Sequence, residues 1–309
     1  MKILGIGNAI VDVICKVTEN FIAENSLTKG TMKLFFDEKE FKTLLNNLKI
    51  EKTVSGGSVA NSIVGLSQLG NEVGFIGKIS NDELGNRYEE GLIKENVDFF
   101  SSKIKGKLPT GTCLILITPD SERTMCTFLG TAGKINENDV SLNVIKRSEM
   151  IFLEGYLWDE GDPKKAFDKA INNSKKVAMS LSDQFCVDRH KPHFLDLVKN
   201  KLDIIFANEG EMISLIDAKD FKEVINFGKD IKKQFVITRG DKGAISINNN
   251  EVIEIKAKKN LEILDLTGAG DLFAAGYLHG LINNFSQNEC LEKGTELSSK
   301  VIQQFGARI

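Results

Sequence analysis

The sequence predicts an α/β fold: a three-layer sandwich with a mostly parallel central sheet and a small β-sheet lid. Three observations carry this expectation. Short apolar runs of strand type alternate with helical stripes through most of the 309 residues, the pattern of a parallel sheet covered on both faces. Two pieces, about 10–36 and 99–128, are rich in strand signals and lack the crossover helices that would thread them into that sheet. A hydrophobic content of 41% with only four prolines supplies a core and excludes disordered or collagenous chains.

Taken in order, 3–8 reads as a strand, followed by 10–17, where Val11 and Val13 alternate with Asp12 and Ile14. A further strand is expected at 31–36. Asp37 and Glu40 have capping-box spacing ahead of a helical stripe of Phe41, Leu44, Leu45 and Leu48. Gly56-Gly57-Ser58 turns into a helix that places Val59, Ile63 and Leu66 on one face, and 73–76 is a short strand. Asn81-Asp82 starts a helix with Leu84, Tyr88 and Leu92 in register. Segments 111–118 and 123–128 form a hairpin about Pro119-Asp120. Strands then recur at 150–153, 177–181, 204–207 and 235–238, with a helix opened by Asp162-Pro163 among the intervening ones. A second hairpin pairs 243–248 with 251–255. Two helices, 271–283 and 287–305, close the pattern, the latter with Ser286 and Glu289 as its capping box. The whole reads as one domain over 1–309. Its main α/β part comprises about 1–9, 37–98 and 129–309, and the lid is built from about 10–36 and 99–128.

Composition narrows the function classes. Forty basic against forty-three acidic residues give a net charge of −3, and the basic residues are dispersed lysines rather than an arginine patch, so nucleic acid is not the expected partner. The five cysteines are widely spaced with no C-x-x-C pair, which fits reduced thiols in a core. The start lacks the pattern of a secretory signal, and the longest charge-free run, 53–71, is broken by Ser, Asn, Gln and Gly, so no membrane span is expected. A cytoplasmic protein is the resulting expectation. The three histidines have no metal-ligand spacing.

Three glycine-rich stations concentrate the chemistry. Gly5-Ile6-Gly7-Asn8-Ala9-Ile10 lacks the third glycine of a dinucleotide fingerprint and continues as strand, which argues against a nicotinamide enzyme. Asn8 and Asp12 are polar groups in apolar strands. Asp12 is either a solvated strand position or, with Asn8, one of a pair of hydrogen-bonding groups for ligand hydroxyls. Gly56-Gly57-Ser58-Val59-Ala60-Asn61 runs into a helix. Its glycines would let backbone approach a ligand, and Asn61 can both donate to and accept from a hydroxyl. In Asp265-Leu266-Thr267-Gly268-Ala269-Gly270-Asp271 the amides of a first helical turn, with the helix dipole, favour a phosphoryl group. Asp271 in that turn either caps the helix or takes the proton of an attacking hydroxyl. No Walker lysine follows, so the loop is not a P-loop.

In combination these stations resemble the signatures of the ribokinase-like (PfkB) carbohydrate and nucleoside kinases. Gly56-Gly57-Ser58-x-x-Asn61 is similar to the first signature and Asp265-x-Thr267-Gly268-Ala269-Gly270-Asp271 to the second. Asn208-Glu209-Gly210-Glu211 resembles the N-x-x-E motif and Thr238-Arg239-Gly240-Asp241-Lys242-Gly243 the T-x-G-x-x-G turn. The likeness runs in order over essentially the whole chain. Within the family it is greatest to bacterial adenosine kinases of the alphaproteobacterial kind, through 4–12, 109–113, 153–158 and 181–190 and through serine at 58.

That resemblance implies ATP as phosphate donor and a small-molecule nucleoside or sugar as acceptor. Asp271 would be the base, and Gly268, Ala269, Gly270 and Asp271 amides the anion hole, with Arg123 reaching the transferred phosphoryl group. Asn8, Asp12, Gly57, Ser58 and Asn61 would bind the acceptor, and Tyr156 would flank its base opposite Ile10 or Met32. Asn208, Glu211, Thr238, Gly240 and Gly243 would serve the nucleotide, Glu211 holding Mg²⁺ through water. A monovalent cation such as K⁺ is implied near Asp265, although Leu266 departs from the threonine of most relatives. The resemblance fits either a monomer or a homodimer. Without the other motifs, Asn208 and Glu211 read as a helix cap and an exposed first-turn acid.

Overall fold

A computed structural model describes residues 1–309 apart from 102, 104–107, 121, 160 and 161. The expected insertion 99–128 is thus described in part, its residues 102, 104–107 and 121 lying outside the described residues. In chain order the strands are β1 (Ile3–Ile6), β2 (Ile10–Lys16), β3 (Met32–Phe35), β4 (Ile50–Ser55), β5 (Val73–Ile76), β6 (Asp98–Phe100), β7 (Gly111–Ile117), β8 (Arg123–Phe128), β9 (Met150–Glu154), β10 (Val177–Ser180), β11 (Ile204–Asn208), β12 (Gln234–Thr238), β13 (Ala244–Asn248) and β14 (Glu251–Ile255). The helices are α1 (Glu19–Glu24), α2 (Glu38–Asn46), α3 (Ser58–Gln68), α4 (Glu83–Lys94), α5 (Leu142–Arg147), α6 (Pro163–Asn173), α7 (Gln184–Asn200), α8 (Glu209–Ile216), α9 (Phe221–Ile231), α10 (Ala269–Ile282) and α11 (Gln287–Val301). Among the described residues, no helix is long and apolar enough to cross a membrane.

Among the described residues, nine strands form the main sheet in the order β14-β13-β12-β11-β10-β9-β1-β5-β6. Pairing is parallel from β12 to β6, and the β12-β13-β14 end is antiparallel. Because side chains alternate along a strand, β1 sends Ile3 to one face and Leu4 and Ile6 to the other. On the first face Ile3, Phe75, Phe152 and Phe206 pack with apolar residues of α3, α4, α10 and α11. On the second, Leu4, Ile6, Leu153 and Ile205 pack with those of α5, α6, α7, α8 and α9. These are the three layers of the ribokinase-like sandwich. The caps follow the sequence at Asp82 and at the Ser286/Glu289 box. At Asp37 only half the box forms, since Glu40 pairs with Lys33, and Asp162 caps no amide with its side chain.

The smaller sheet has the order β3-β8-β7-β2-β4. Val11, Val13, Leu114, Leu116, Cys126 and Phe128 are buried with Ile22 of α1 and Phe41 and Leu44 of α2. The opposite face presents Ile10, Cys113, Ile115 and Met125. Two expected boundaries shift. Residues 50–55, expected in the main part, pair antiparallel with β2, Val11 opposite Ser55, so they belong to the small sheet. Residues 99–100, expected in the lid, pair with β5 and extend the main sheet. Both are edge strands, where a short or charged sequence leaves little periodic signal. The expected strand-rich piece 10–36 also contains α1, capped by Thr18.

Candidate active site

The layout brings the two glycine-rich helix starts side by side. α3 and α10 cover the same face of the main sheet, and Gly65 has no side chain to hold them apart: a Cβ there would lie 2.8 Å from Leu272 Cδ1 and 3.0 Å from Ala275 Cβ. Close approach aligns the first turns, so Asp271 meets residues some 210 positions earlier. Ser58 Oγ donates to Asp271 Oδ1 at 2.6 Å and Asn61 Nδ2 to Oδ2 at 2.9 Å. Ser62 Oγ fixes the Asp271 carbonyl at 2.8 Å. Burial pushes the Asp271 carboxyl up to about 6, against the lowering effect of these donors and of Arg308. A carboxylate of that strength is poised to accept a proton near neutral pH.

At the diglycine the missing side chains also make room within the chain itself. A Cβ on Gly56 would collide with the Asp12 carboxylate. Gly57, at φ +100°, leaves room for the Asn8 carbonyl, a conformation that L side chains rarely adopt. The glycines admit the chain's own polar groups. Burial pushes Asp12 up to about 7; Arg308 and Arg123 oppose the shift, and Asp271 adds to it. Asn8 is buried, donates through Nδ2 to Glu154 Oε1 at 2.8 Å, and its Oδ1 has no partner among the described residues. That orphaned acceptor is a place for a ligand hydroxyl.

These groups line a cavity of about 580 Å³ between the small sheet and the carboxyl ends of the main strands. Asn8, Asp12, Gly57, Ser58, Asn61, Tyr156, Asn208, Glu211, Thr238, Gly268, Ala269, Gly270 and Asp271 all reach it. Its lid side is apolar, with Ile10, Met32, Leu34, Ile115 and Met125. Tyr156 is anchored by its amide to Ser182 Oγ, and burial next to Asp183 raises its phenol well above the usual range. Asn208 and Glu211 form the capping box of α8, as the cap reading expects. Glu211 is nevertheless buried rather than exposed, and burial pushes it up to about 7.

Three expected residues lie outside the lining. Arg123 Nη2 stands 2.8 Å from Asp265 Oδ2, with the guanidinium over the Phe305 ring, so it clasps the start of the second glycine-rich loop. Gly240 and Gly243 shape the turn behind Thr238. Gly243, at φ +102°, lies where any side chain would strike the Ile255 carbonyl of β14, and its role is conformational. Asp265 is occupied on all sides, accepting also from Thr267 N and Oγ1 and from Gly306 N.

Sequence reasoning missed two charged groups. Glu154, at the end of β9, is 1% exposed and accepts from Asn8 and from Val59 N, tying β1 to the start of α3. Its signal was an acid closing an apolar run. Arg308 reaches Asn61 from the segment after α11, and nothing local marks it. Among the described residues no group of three metal-ligating side chains occurs.

Comparison with known proteins places the chain in context. The pfkB family carbohydrate kinase description matches residues 26–309. The structure of adenosine kinase from Sinorhizobium meliloti is 33% identical, covers 100% of this chain and 95% of its own, and superposes with a TM-score of 0.91. A probable sugar kinase from Rhizobium etli is 34% identical over 99% of this chain and 94% of its own, with a TM-score of 0.90. The 5-dehydro-2-deoxygluconokinase of Clostridium botulinum is 25% identical over 88% of this chain and 85% of its own.

Proposed function

This chain belongs to the pfkB family of carbohydrate kinases, phosphotransferases acting on hydroxyl groups, and we propose that its own reaction is transfer of the γ-phosphate of ATP to the 5′-hydroxyl of adenosine, giving AMP and ADP. The observation that carries the choice of acceptor is the two-sided cavity. Its floor offers Asn8 Oδ1, Asp12 and Asn61 for hydroxyls, while Ile10, Met32, Leu34 and Met125 face them with apolar surface. A nucleoside matches both sides with its ribose and base. A free sugar would leave the apolar wall without a partner. Identity to the Sinorhizobium meliloti adenosine kinase supports the same reading.

In this reaction Asp271 accepts the proton of the acceptor hydroxyl, held in orientation by Ser58 and Asn61. The amides of Gly268, Gly270 and Asp271, at the positive end of α10, hold the negative charge gathering on the phosphoryl group, whereas the Ala269 amide, expected among them, donates to the Leu266 carbonyl at 3.2 Å. Arg123, clasped to Asp265, adds positive charge beside this loop and links it to the lid. Asn208, Glu211 and Thr238 serve the nucleotide. The acidic lining, half-buried Asp183 and buried Glu211, fits a hydrated Mg²⁺, which when bound would supply neutralising charge to the phosphates. Positioning and electrostatics carry most of the acceleration, as in phosphoryl transfer generally. The lid side of the cavity shields the transfer from water, the competing acceptor.

The second reading is a sugar kinase, favoured by identity to 5-dehydro-2-deoxygluconokinase and to the probable sugar kinase. ADP release from ATP over adenosine, other nucleosides, ribose and fructose separates the two. Adenosine should give the highest kcat/KM. A preference of about tenfold or more for a sugar would replace the first reading with the second. Binding of an acceptor without turnover of any would point to a non-catalytic regulator.

A further inference from the structure

The segment after α11 folds back over both helix starts. Gly306 N donates to Asp265 Oδ2 at 2.8 Å, and Gln68 Nε2 and Gln304 Nε2 donate to the carbonyls of Ile309 and Arg308. These backbone contacts deliver the Arg308 side chain beneath the acceptor floor, where Nε donates to Asn61 Oδ1 at 3.1 Å. Asn61 in turn donates to Asp271 at 2.9 Å. Arg308 Nη2 is shut off from solvent, and among the described residues it has no hydrogen-bond partner and the guanidinium forms no contact ion pair. A cation held this way acts on anions beyond contact distance, and the acidic groups that face it are Tyr88, Asp12, Glu95 and Asp271.

We propose that Arg308 is a positioning residue of the phosphotransfer site: it locks the Asn61 carboxamide against the Asp271 carboxylate and supplies the positive charge facing Asp12 and Asp271. The proposal rests on the kinase reading above, with Asp271 as base. Asn61 can orient Asp271 only if its amide faces the right way, and an unrestrained carboxamide can present either oxygen or nitrogen. With Nε of Arg308 on Oδ1, only Nδ2 is left for the carboxylate. The charge is needed because the neighbourhood is otherwise acidic. Asp271 is faced by Asp12 from β2, Glu154 from β9, Tyr156 after β9, and Ser58 and Asn61 from α3. Asp12 is faced by Asp271, Arg123, Cys113 and Tyr88. Burial alone drives Asp12 and Asp271 toward protonation, and Arg308 opposes this at both.

The test compares wild type, Arg308→Met and Arg308→Lys. Arg308→Met should lower kcat by about 10–100-fold and shift the acidic limb of kcat/KM upward by about one pH unit, as loss of a facing cation raises a carboxyl. Arg308→Lys keeps the charge but not the planar fork, so it should restore the limb while kcat stays below wild type. A pH profile that moves with charge and a kcat that moves with geometry are not consequences of a merely structural contact. Titration of the Asp271 carboxyl by ¹³C NMR, assigned with Asp271→Asn, reads the same pairing without turnover. Coincident Asp271 titrations in wild type and Arg308→Met would overturn the proposal, as would an unchanged kcat in Arg308→Lys. If wild type transfers phosphate to no acceptor, the kinase reading fails, and the titration still decides the role of Arg308.

Discussion

Replacing Asp12 by alanine tests the acceptor floor. Asp12 lies on β2 opposite Cys113 of β7, and its carboxylate occupies the space that Gly56 leaves open. In the proposed complex it accepts from ribose hydroxyls. Hydrogen bonds to a charged acceptor contribute about 1.5–3 kcal/mol, so Asp12→Ala should raise the adenosine Kd by about 10–150-fold. The acidic limb of kcat should stay near that of the wild type even as acceptor binding weakens, because Asp12, pushed up to about 7, is mostly protonated and neutral where Asp271, at about 6, loses its proton. Isothermal titration with adenosine measures the binding and saturating kinetics across pH 5–8 the limb. An adenosine Kd within about twofold of wild type would refute the reasoning and move the acceptor elsewhere in the cavity.

Other perturbations follow from the same geometry. Glu154→Gln must turn one amide hydrogen toward either Asn8 Nδ2 or Val59 N, both donors. Leaving a buried donor unsatisfied should cost about 1–3 kcal/mol in urea denaturation and weaken acceptor binding through Asn8. Stability should fall as pH rises between about 4 and 7, opposite to ordinary acid denaturation. Asp12, Glu154 and Glu211 are raised to about 7 and Asp271 to about 6, so the folded state binds more protons than the unfolded one across that window. Each such carboxyl stabilises the fold fully at low pH and loses that contribution as pH rises through its folded value, at up to about 1.4 kcal/mol per unit. Denaturation midpoints of the ligand-free protein at pH 5 and pH 8 check this. A higher midpoint at pH 8 would contradict it.

Much of this architecture is legible in the sequence, for identifiable reasons. Strand β5 was expected at its observed bounds because a strand buried on both faces is a continuous apolar run. The β7–β8 hairpin announces itself by alternation and a proline turn. Strand β4 was missed because Ile50 to Lys52 are exposed on the edge of the small sheet, where charge replaces periodicity. The pairing of Asp271 with Ser58 and Asn61 was legible as two motifs but not as a contact. What makes it a contact is the absence of a side chain at Gly65, a packing fact with no local signature. Arg308 was illegible for a stronger reason. It lies beyond the last helix, 247 positions from Asn61, and its role depends on where the backbone of 306–309 docks. Arg123 shows the converse: its residue type and strand were anticipated, but its partner in this structure is Asp265 rather than the cavity.

The most direct measurement is the turnover of Asp271→Asn. Asparagine keeps the shape and one acceptor for Ser58 but cannot take a proton, so kcat should fall by about 10²–10⁴-fold, equivalent to about 2.7–5.4 kcal/mol of barrier. Adenosine affinity should stay within a few-fold of the parent. A kcat for Asp271→Asn close to that of the wild type would show that the proton goes elsewhere, and the account of this site would be wrong.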